Sequence, residues 1–250
     1  MPDNLVLTRP AGSNFQLRQV LQAAGVRIVE MPLIEITARV PLVTHEPFSD
    51  APSAPRTFIF TSQNAVQHAP QIIARLQNQP STDVFAVGAA TQEMLARQNI
   101  QAQAPARPGS EYLLNLKGLQ HVLGQKITIV TGRSPRGLLE SALVERGAVV
   151  NSYECYERHP LQPVLLAQHL EQGHFDHVLV TSVDILQALM GCLGQGFASK
   201  VTLVVTAARI AEAAFSEGFN QLIEARDASA AGVLDAMQRA GPDGEMWTHE

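Results

Sequence analysis

Small polar residues recur where a strand-like segment gives way to a helix-like one, and their types suit the binding of anions. Hydroxyl groups and helix N-termini donate hydrogen bonds to carboxylates, and the N-terminus carries a partial positive charge. The clusters are Thr8-Arg9, Thr61 with Ser62, Gln63 and Asn64, Gly88 to Thr91, Thr131 to Arg133, Thr181 with Ser182, and Thr206. Each cluster alone also fits an ordinary N-cap, but their recurrence at matching strand ends predicts two anion-binding edges.

Four arginines lie on or next to these clusters, at Arg9, Arg133, Arg136 and Arg209. A guanidinium grips a carboxylate in a two-pronged hydrogen-bonded pair, although each of these arginines could equally be a solvated surface residue. With the polar clusters, they indicate a small ligand that is rich in carboxylates.

Two tyrosines stand three residues apart in one strand-like segment, Tyr153 and Tyr156. Because side chains alternate along a strand, the spacing predicts opposite faces, so that at most one of the two reaches a ligand. A buried tyrosine with a satisfied hydroxyl is the other interpretation of either residue.

Signatures of other chemistries are missing from the sequence. It has no GxxxxGK[ST], no GxGxxG after a strand, no GxSxG and no HExxH, which argues against nucleotide binding, serine hydrolysis and zinc peptidase chemistry. His169, His174, Asp176 and His177 straddle a turn, and we interpret them as a solvated loop rather than a metal site. We therefore predict no metal site.

The overall composition is that of a folded protein that does not bind nucleic acid. Of 250 residues, 46% are hydrophobic and 16% charged, and the net charge is −5, whereas nucleic-acid binding requires a basic excess. The two cysteines, Cys155 and Cys192, form no disulfide framework, and Cys155 reads as a strand residue. The N-terminus shows no leader and no apolar run is long enough to span a bilayer, so we expect a soluble, cytoplasmic protein without a membrane partner.

Apolar segments of strand length alternate with amphipathic helical patterns, which is typical of parallel α/β sheets. The predicted strands lie near 5–8, 28–36, 57–61, 84–87, 127–131, 149–157, 177–181 and 201–205. Crossover helices are predicted in FQLRQVLQAAG, QEMLARQN, GLLESALVERG, DILQALMGCLG and ARIAEAAFSEG.

An internal repeat covers most of the chain. LVLTRP corresponds to ITIVTGR, FIFTSQNAV to VLVTSVDIL, and FAVGAATQEML to LVVTAARIAEA, at offsets of 123, 120 and 118 residues. The repeat predicts two similar lobes, but it allows either contiguous halves or a first βαβ unit that packs with the last third of the chain. LIEITARVP and YECYERHP occupy equivalent places and alternate strongly, which suits two strands that link the lobes.

The ordered set of FIFTSQNAV, VGAAT, KITIVTGRSPRGLLESALVERGAVVNSYECYER and ARIAEAAFSEGF resembles the uroporphyrinogen-III synthase (HemD-like) family of tetrapyrrole and heme biosynthesis. The resemblance runs from LVLTRP to about residue 239. It implies a monomeric hydro-lyase without a cofactor, which closes the linear hydroxymethylbilane into uroporphyrinogen III, loses water and inverts the last pyrrole ring. It also suggests a transient handover of the bilane from hydroxymethylbilane synthase.

The family's fold implies two doubly wound, flavodoxin-like lobes joined by a two-stranded β-ladder. Carried over, one lobe comprises residues 1–37 and 160–250, the other comprises 42–153, and the linker strands lie at 38–41 and 154–159. We expect the substrate to lie between the lobes.

The resemblance implies one catalytic residue, Tyr156, which would help the hydroxyl to leave and form an azafulvene that the last pyrrole then attacks. From the polar clusters and the resemblance together, we expect these substrate-binding residues: Arg9, Thr61, Ser62, Gln63, Asn64, Gly88, Thr91, Arg133, Arg136, Ser182 and Thr206. The sequence departs from many members at Ala207 and Ala208, where they carry hydroxyl residues. Thr206 is the hydroxyl that this chain offers there.

Two hypotheses of other classes remain at this stage. A two-lobed polycarboxylate-binding protein without catalysis would share the lobes and the anion-binding edges, and only a reaction assay separates it from an enzyme. A flavodoxin or receiver domain would share the strand pattern, but the sequence has no TxTGxT phosphate loop and no acidic pair after the first strand.

Overall fold

A computed structural model describes residues 4–40, 56–78, 82–133, 137–172, 175, 177–193, 198 and 201–239. The chain forms two compact units, of which unit 1 comprises Met1–Glu35 and His159–Glu250 and unit 2 comprises Ile36–Arg158. The strands are β1 (Asn4–Leu7), β2 (Arg27–Glu30), β3 (Ile34–Ala38), β4 (Arg56–Phe60), β5 (Asp83–Ala86), β6 (Lys126–Gly132), β7 (Val149–Pro160), β8 (His177–Val180), β9 (Thr202–Val205) and β10 (Leu222–Glu224). The helices are α1 (Phe15–Ala23), α2 (Gln63–Gln67), α3 (Pro70–Gln77), α4 (Ala89–Ala96), α5 (Ser110–Leu113), α6 (Leu138–Glu145), α7 (Val164–Glu171), α8 (Val183–Cys192), α9 (Ala208–Ser216) and α10 (Ala230–Arg239), with a short 3-10 helix at Lys117–Leu119.

Unit 1 is built on a parallel sheet in the order β2-β1-β8-β9-β10. Counted in chain order within the unit, this is the 2-1-3-4-5 order of flavodoxin-like sheets. Leu5 and Leu7 of β1 pack with residues of α1 and α10 in one buried cluster. The strand order reverses between β1 and β8, which places the unit's topological switch point there.

Unit 2 has a sheet in the order β5-β4-β6-β7-β3, with parallel pairing from β5 to β7. The edge strand β3 runs antiparallel to β7, because the Arg39 amide donates to the Cys155 carbonyl at 2.9 Å and the Leu161 amide to the Leu33 carbonyl at 2.8 Å. Phe58 and Phe60 of β4 enter one buried cluster and other strand residues enter a second, so helices cover both faces of the sheet. The predicted α/β class with doubly wound parallel sheets and a β-ladder is confirmed.

The internal repeat is also a repeat in space. Its equivalences map β2-β1-β8-β9 of unit 1 onto β7-β6-β4-β5 of unit 2, and the structure has both sets in that order. The repeat also extends to β10. Ile223 of β10 pairs with Val204 of β9, and in unit 2 Gln103 forms an isolated parallel bridge with Phe85 of β5 at the equivalent place. Of the two packings that the sequence allowed, the first βαβ unit packs with the last third of the chain.

Two details of the predicted strands are wrong. The strand expected at 28–36 is broken into β2 and β3, since the amides of Met31 and Leu33 still bond to Leu7 and Thr8 beside β1 while β3 joins the other sheet. The short β10 was missed because its three residues carry no recognisable period. The linker strands were predicted at 38–41 and 154–159. In the structure the strand next to β7 is Ile34–Ala38, and residues 154–159 lie inside β7. Pro41 is outside the described residues.

Candidate functional site

The carboxyl-terminal edge of the unit 2 sheet has its topological switch point between β4 and β6. Thr61 follows β4, and its Oγ1 lies 3.0 Å from Oγ1 of Thr131 in β6 and 3.3 Å from the Val130 carbonyl oxygen. The two threonines therefore join the strands at the place where open α/β sheets bind their ligands.

A bulge in β7 turns Tyr156 toward this edge. The β6–β7 register pairs Thr131 with Glu154 but Gly132 with Tyr156, so Cys155 is an extra residue. As a result Tyr153, Cys155 and Tyr156 all belong to the same buried cluster. The prediction that the two tyrosines lie on opposite faces is wrong, because strict alternation holds only in a strand without a bulge.

The Tyr156 hydroxyl is buried between two partners. The residue is only 1% exposed, and its Oη lies 3.0 Å from Oγ of Ser62 and accepts a hydrogen bond from Nη2 of Arg158 at 2.9 Å. The Arg158 guanidinium also lies 5.1 Å from the ring centroid, which allows a cation–π contact. The phenol is thus fixed from two sides.

Gly132 makes room for the tyrosine ring. A Cβ built on Gly132 would lie 2.5 Å from Cε2 and Cζ of Tyr156 and 3.0 Å from its hydroxyl oxygen, so no other residue fits without displacing the ring. The imidazole centroid of His68 lies 5.9 Å from the centroid of the Tyr156 ring.

Ser62 begins α2 as its N-cap, because its Oγ accepts a hydrogen bond from the Ala65 amide at 3.1 Å. Ser182 begins α8 in the same way, with the Ile185 amide 3.2 Å from its Oγ. The two serines are 120 residues apart, as the repeat predicts. Both keep a hydroxyl hydrogen that the cap bond does not use.

Charged residues cluster around Glu157 at the end of β7. Arg39 forms an ion pair with Glu157, and Arg133 Nη1 lies 3.3 Å from the same carboxylate oxygen. Arg39, and then Arg133, hold the pKa of the Glu157 carboxyl below its ordinary value. The Arg133 side chain is 63% exposed, and Glu157 is already its counter-ion. The guanidinium that is predicted to bind a substrate carboxylate is therefore one that already has an acidic partner.

The start of α4 differs from the starts of α2 and α8. Its N-cap is Gly88, so no side chain caps the helix, and a Cβ there would lie 2.9 Å from that of Pro108. The backbone amides of such an uncapped turn suit an anion. Thr91, in the first turn, is 4% exposed.

The remaining predicted residues of unit 2 lie beside these features. Gln63 Nε2 donates to the Ala90 carbonyl at 3.3 Å, which connects α2 with the start of α4. Asn64 is half-buried in the first turn of α2, and Arg136 lies outside the described residues.

In unit 1, Arg9, Ser182 and Thr206 follow the neighbouring strands β1, β8 and β9. Arg9 is half-buried, burial lowers the pKa of its guanidinium, and no acidic side chain in the described ranges pairs with it. Thr8 is fully buried, and its hydroxyl donates to the Leu179 carbonyl, which links the end of β1 to β8. The N-cap of α9 is Ala207, which provides no side-chain cap, and Arg209 is exposed.

The cysteine environments disfavour a thiolate, and the histidines in the described part of the chain belong to no metal-binding group. Burial raises the pKa of the Cys155 thiol to about 11, so it stays protonated. Within the described residues there is no group of three or more His, Cys, Asp or Glu that could hold a metal. His174 and Asp176 fall outside those residues.

The sequence matches the protein family described as "Uroporphyrinogen-III synthase HemD" over residues 16–235. The chain belongs to the uroporphyrinogen-III synthase family. Its relatives include the uroporphyrinogen-III synthase of Proteus mirabilis, 31% identical over 159 residues that cover 62% of this chain and 80% of the relative. The enzyme of that name from Escherichia coli K12 is 28% identical over 247 residues and covers 94% of this chain and 100% of the relative.

Solved structures of the family share the fold. A mutant uroporphyrinogen III synthase of Thermus thermophilus superposes with a TM-score of 0.62 at 16% identity, covering 95% of this chain and 98% of that one. The Helicobacter pylori uroporphyrinogen-III synthetase also gives 0.62, at 14% identity and 94% and 98% coverage. In the described ranges, no helix is long and apolar enough to cross a membrane.

The sequence reasoning missed Arg158 as a partner of Tyr156, and it missed the ion pair between Arg39 and Glu157. Arg158 stands two residues after Tyr156, and residues i and i+2 of a strand share a face, so the period was a usable signal. Arg39 and Glu157 could not be paired in advance, because their contact depends on how β3 and β7 are aligned.

Proposed function

We propose that this protein is a uroporphyrinogen-III synthase that converts hydroxymethylbilane into uroporphyrinogen III with inversion of the last pyrrole ring and loss of water. The observation that carries the proposal is the family match over residues 16–235. A relative of that name aligned along its full length agrees with it.

The polar edges suit a carboxylate-rich substrate. Arg9 is a half-buried cation without an acidic partner in the described part of the chain, and a substrate carboxylate would supply the missing charge. The uncapped starts of α4 and α9 add backbone amides. We propose that carboxylates of the bilane bind at these positions and at Ser182 and Thr206.

The proposed reaction requires two things from the protein: help for the hydroxyl group to leave, and one fixed conformation of the bilane. The hydroxyl of the terminal hydroxymethyl group leaves as water when it receives a proton, and the resulting electrophile is attacked by the last pyrrole. Tyr156, with Ser62 beside it, is the proposed source of that proton. Since the bilane also closes unaided without inversion, holding its folded shape contributes most to the outcome.

We propose further that the protein works as a cytoplasmic monomer that receives the bilane from hydroxymethylbilane synthase. Both of its cysteines are free thiols, which suits a reducing compartment. The reaction loses water without any change of oxidation state, so no redox cofactor is required. Sedimentation in the presence and absence of the synthase tests the monomer and the handover together.

An assay of the product isomers tests the function. Hydroxymethylbilane is generated in situ, the protein is added, and the uroporphyrinogens are oxidised and separated by isomer. We expect faster consumption of the bilane and a product dominated by isomer III, against isomer I without protein. A protein that binds the bilane but leaves its rate of closure and its isomer ratio unchanged would instead be a polycarboxylate-binding protein.

A further inference from the structure

The Tyr156 hydroxyl has two hydrogen-bond partners, and in the contact with Arg158 it is the acceptor. Arginine has only donors, so the 2.9 Å contact from Arg158 Nη2 uses a lone pair of the phenol oxygen. The phenol hydrogen is then available to the Ser62 Oγ at 3.0 Å. Either hydroxyl could donate across that contact; when the phenol hydrogen is used there, Tyr156 is the donor and Ser62 the acceptor.

With Tyr156 as the donor, the Ser62 oxygen accepts two hydrogen bonds. A hydroxyl oxygen has two lone pairs and one hydrogen, and the lone pairs are taken by the Ala65 amide at 3.1 Å and by the Tyr156 hydroxyl. Its own hydrogen is left over. Ser62 is half-buried at the carboxyl-terminal edge of the sheet, whereas Tyr156 is 1% exposed, so Ser62 is the member of the pair that a ligand can touch.

We propose that Ser62 is the residue that hands the proton to the departing hydroxyl, that Tyr156 re-supplies Ser62, and that Arg158 is a positioning residue that sets this direction. The inference rests on the proposed function and deepens it. Tyr156 acts through Ser62, although the family resemblance points to the tyrosine itself.

The protons given up and taken up in this sequence of steps balance. The C–O bond of the hydroxymethyl group breaks with both electrons on oxygen, which takes the Ser62 hydrogen and leaves as water. Ser62 takes the Tyr156 hydrogen, and the phenolate is stabilised by the guanidinium of Arg158 at 2.9 Å. The last pyrrole attacks the electrophile through its substituted carbon, which has no hydrogen, and gives a spiro intermediate. The bond from that carbon to its original bridging carbon then breaks, and the bridging carbon bonds instead to the unsubstituted carbon of the same pyrrole. That carbon loses its hydrogen as a proton, which returns to Tyr156.

Ser182 provides a matched comparison inside the same chain. It caps α8 as Ser62 caps α2, but no tyrosine meets its hydroxyl in the described part of the chain. A serine at this place in the repeat therefore needs no tyrosine in order to cap a helix. The link to Tyr156 is an additional feature of unit 2.

The test is a double-mutant cycle on kcat for the formation of isomer III, with Ser62→Ala, Tyr156→Phe and the two combined. If the groups act in series, each single variant loses about 10²–10⁴-fold in kcat with little change in KM. The combined variant then loses no more than the worse single one. Arg158→Gln lowers kcat with KM unchanged, and Arg158→Lys, which keeps a cationic donor, restores part of it.

Stability controls distinguish the loss of proton transfer from Tyr156 through Ser62, which we call the relay, from the loss of the helix cap that Ser62 also provides. Ser182→Ala measures what the loss of a serine cap costs in Tm, and Ser62→Thr, which keeps the hydroxyl, should recover part of the kcat that Ser62→Ala loses. If Ser62→Ala does not fold, Ser62→Gly removes the hydroxyl while glycine still begins a helix well.

Several results would overturn the relay while leaving the function intact. One is full kcat in a folded Ser62→Ala or Ser62→Gly protein whose Tyr156→Phe counterpart is slow, because the tyrosine would then act directly. Another is a combined loss equal to the product of the single losses. If the wild-type protein itself makes no isomer III, the proposed function fails, and the relay fails with it.

Discussion

Replacing Gly132 by alanine should move the Tyr156 ring without changing any polar group. The added Cβ would lie 2.5 Å from two ring carbons, about 0.9 Å closer than the 3.4 Å at which ordinary contact begins. Because the ring is buried, it cannot swing into solvent, and the misfit must appear as overpacking that costs about 1–3 kcal/mol. The hydroxyl should move away from Ser62 by a similar distance, on the order of 1 Å.

A displacement of that size is enough to slow an enzyme that works by positioning. Misplacement by about 1 Å can cost on the order of 10²-fold in rate, which corresponds to about 2.7 kcal/mol of activation free energy. We therefore expect Gly132→Ala to fold, to unfold a few degrees earlier, and to lose about 10²-fold in kcat for isomer III. Part of the bilane should escape to isomer I.

Gly118→Ala is the matched control. A Cβ at Gly118 would lie 2.7 Å from Cζ of buried Phe85, so the variant carries a similar overpacking cost of about 1–3 kcal/mol. Phe85 belongs to a different buried cluster from Tyr156. Both variants should lose comparable Tm in thermal unfolding, and only Gly132→Ala should lose kcat. A folded Gly132→Ala protein with wild-type kcat would refute the argument, because the position of the phenol would then not matter.

Three further predictions concern the same edges. Tyr156→Phe keeps the ring packing and removes one hydroxyl, so it should lose about 10²–10⁴-fold in kcat with KM near wild type and release part of the bilane as isomer I; unchanged kinetics in a folded variant would make Tyr156 a packing residue. KM for the bilane should rise with ionic strength, since salt screens carboxylate–guanidinium attraction with a Debye length of about 10 Å at 0.1 M, and Arg9→Gln should flatten that dependence; a KM independent of salt would contradict an electropositive site. Arg39, and then Arg133, lower the pKa of Glu157, so its stabilising effect is present above the unfolded pKa of about 4.3 and is lost as the pH falls through the lower folded value. Denaturant unfolding should therefore show Glu157→Gln to be less stable than wild type at pH 7 but not at low pH, and an equal difference at both pH values would speak against the ion pairs.

The sequence by itself determined the class of fold and the edges that carry the site. Alternating apolar segments and amphipathic helices are local patterns, so most strands fall within a residue or two of the predicted positions. The repeat at about 120 residues predicted that Ser62 and Ser182 cap equivalent helices, and both do. Such features depend on neighbours within a few positions, which is why sequence alone could predict them.

Only the tertiary structure decided how these pieces combine. Whether β1 pairs with β8 or with strands of its own half depends on free-energy differences between whole packings, and the sequence allowed both. The bulge that brings Cys155 and Tyr156 into the same cluster exists because β7 is aligned against β6 with one extra residue. No local pattern in YECYER indicates the bulge.

The contacts of Tyr156 are long-range for the same reason. Ser62 is 94 residues away from it in sequence, and Gly132 matters only because the ring lies against its backbone. Side-chain types and periods predict which face a residue uses, but they do not predict which distant residue occupies the facing position. That is settled when strand register and helix packing are fixed together, since each close contact must satisfy the packing of both elements at once.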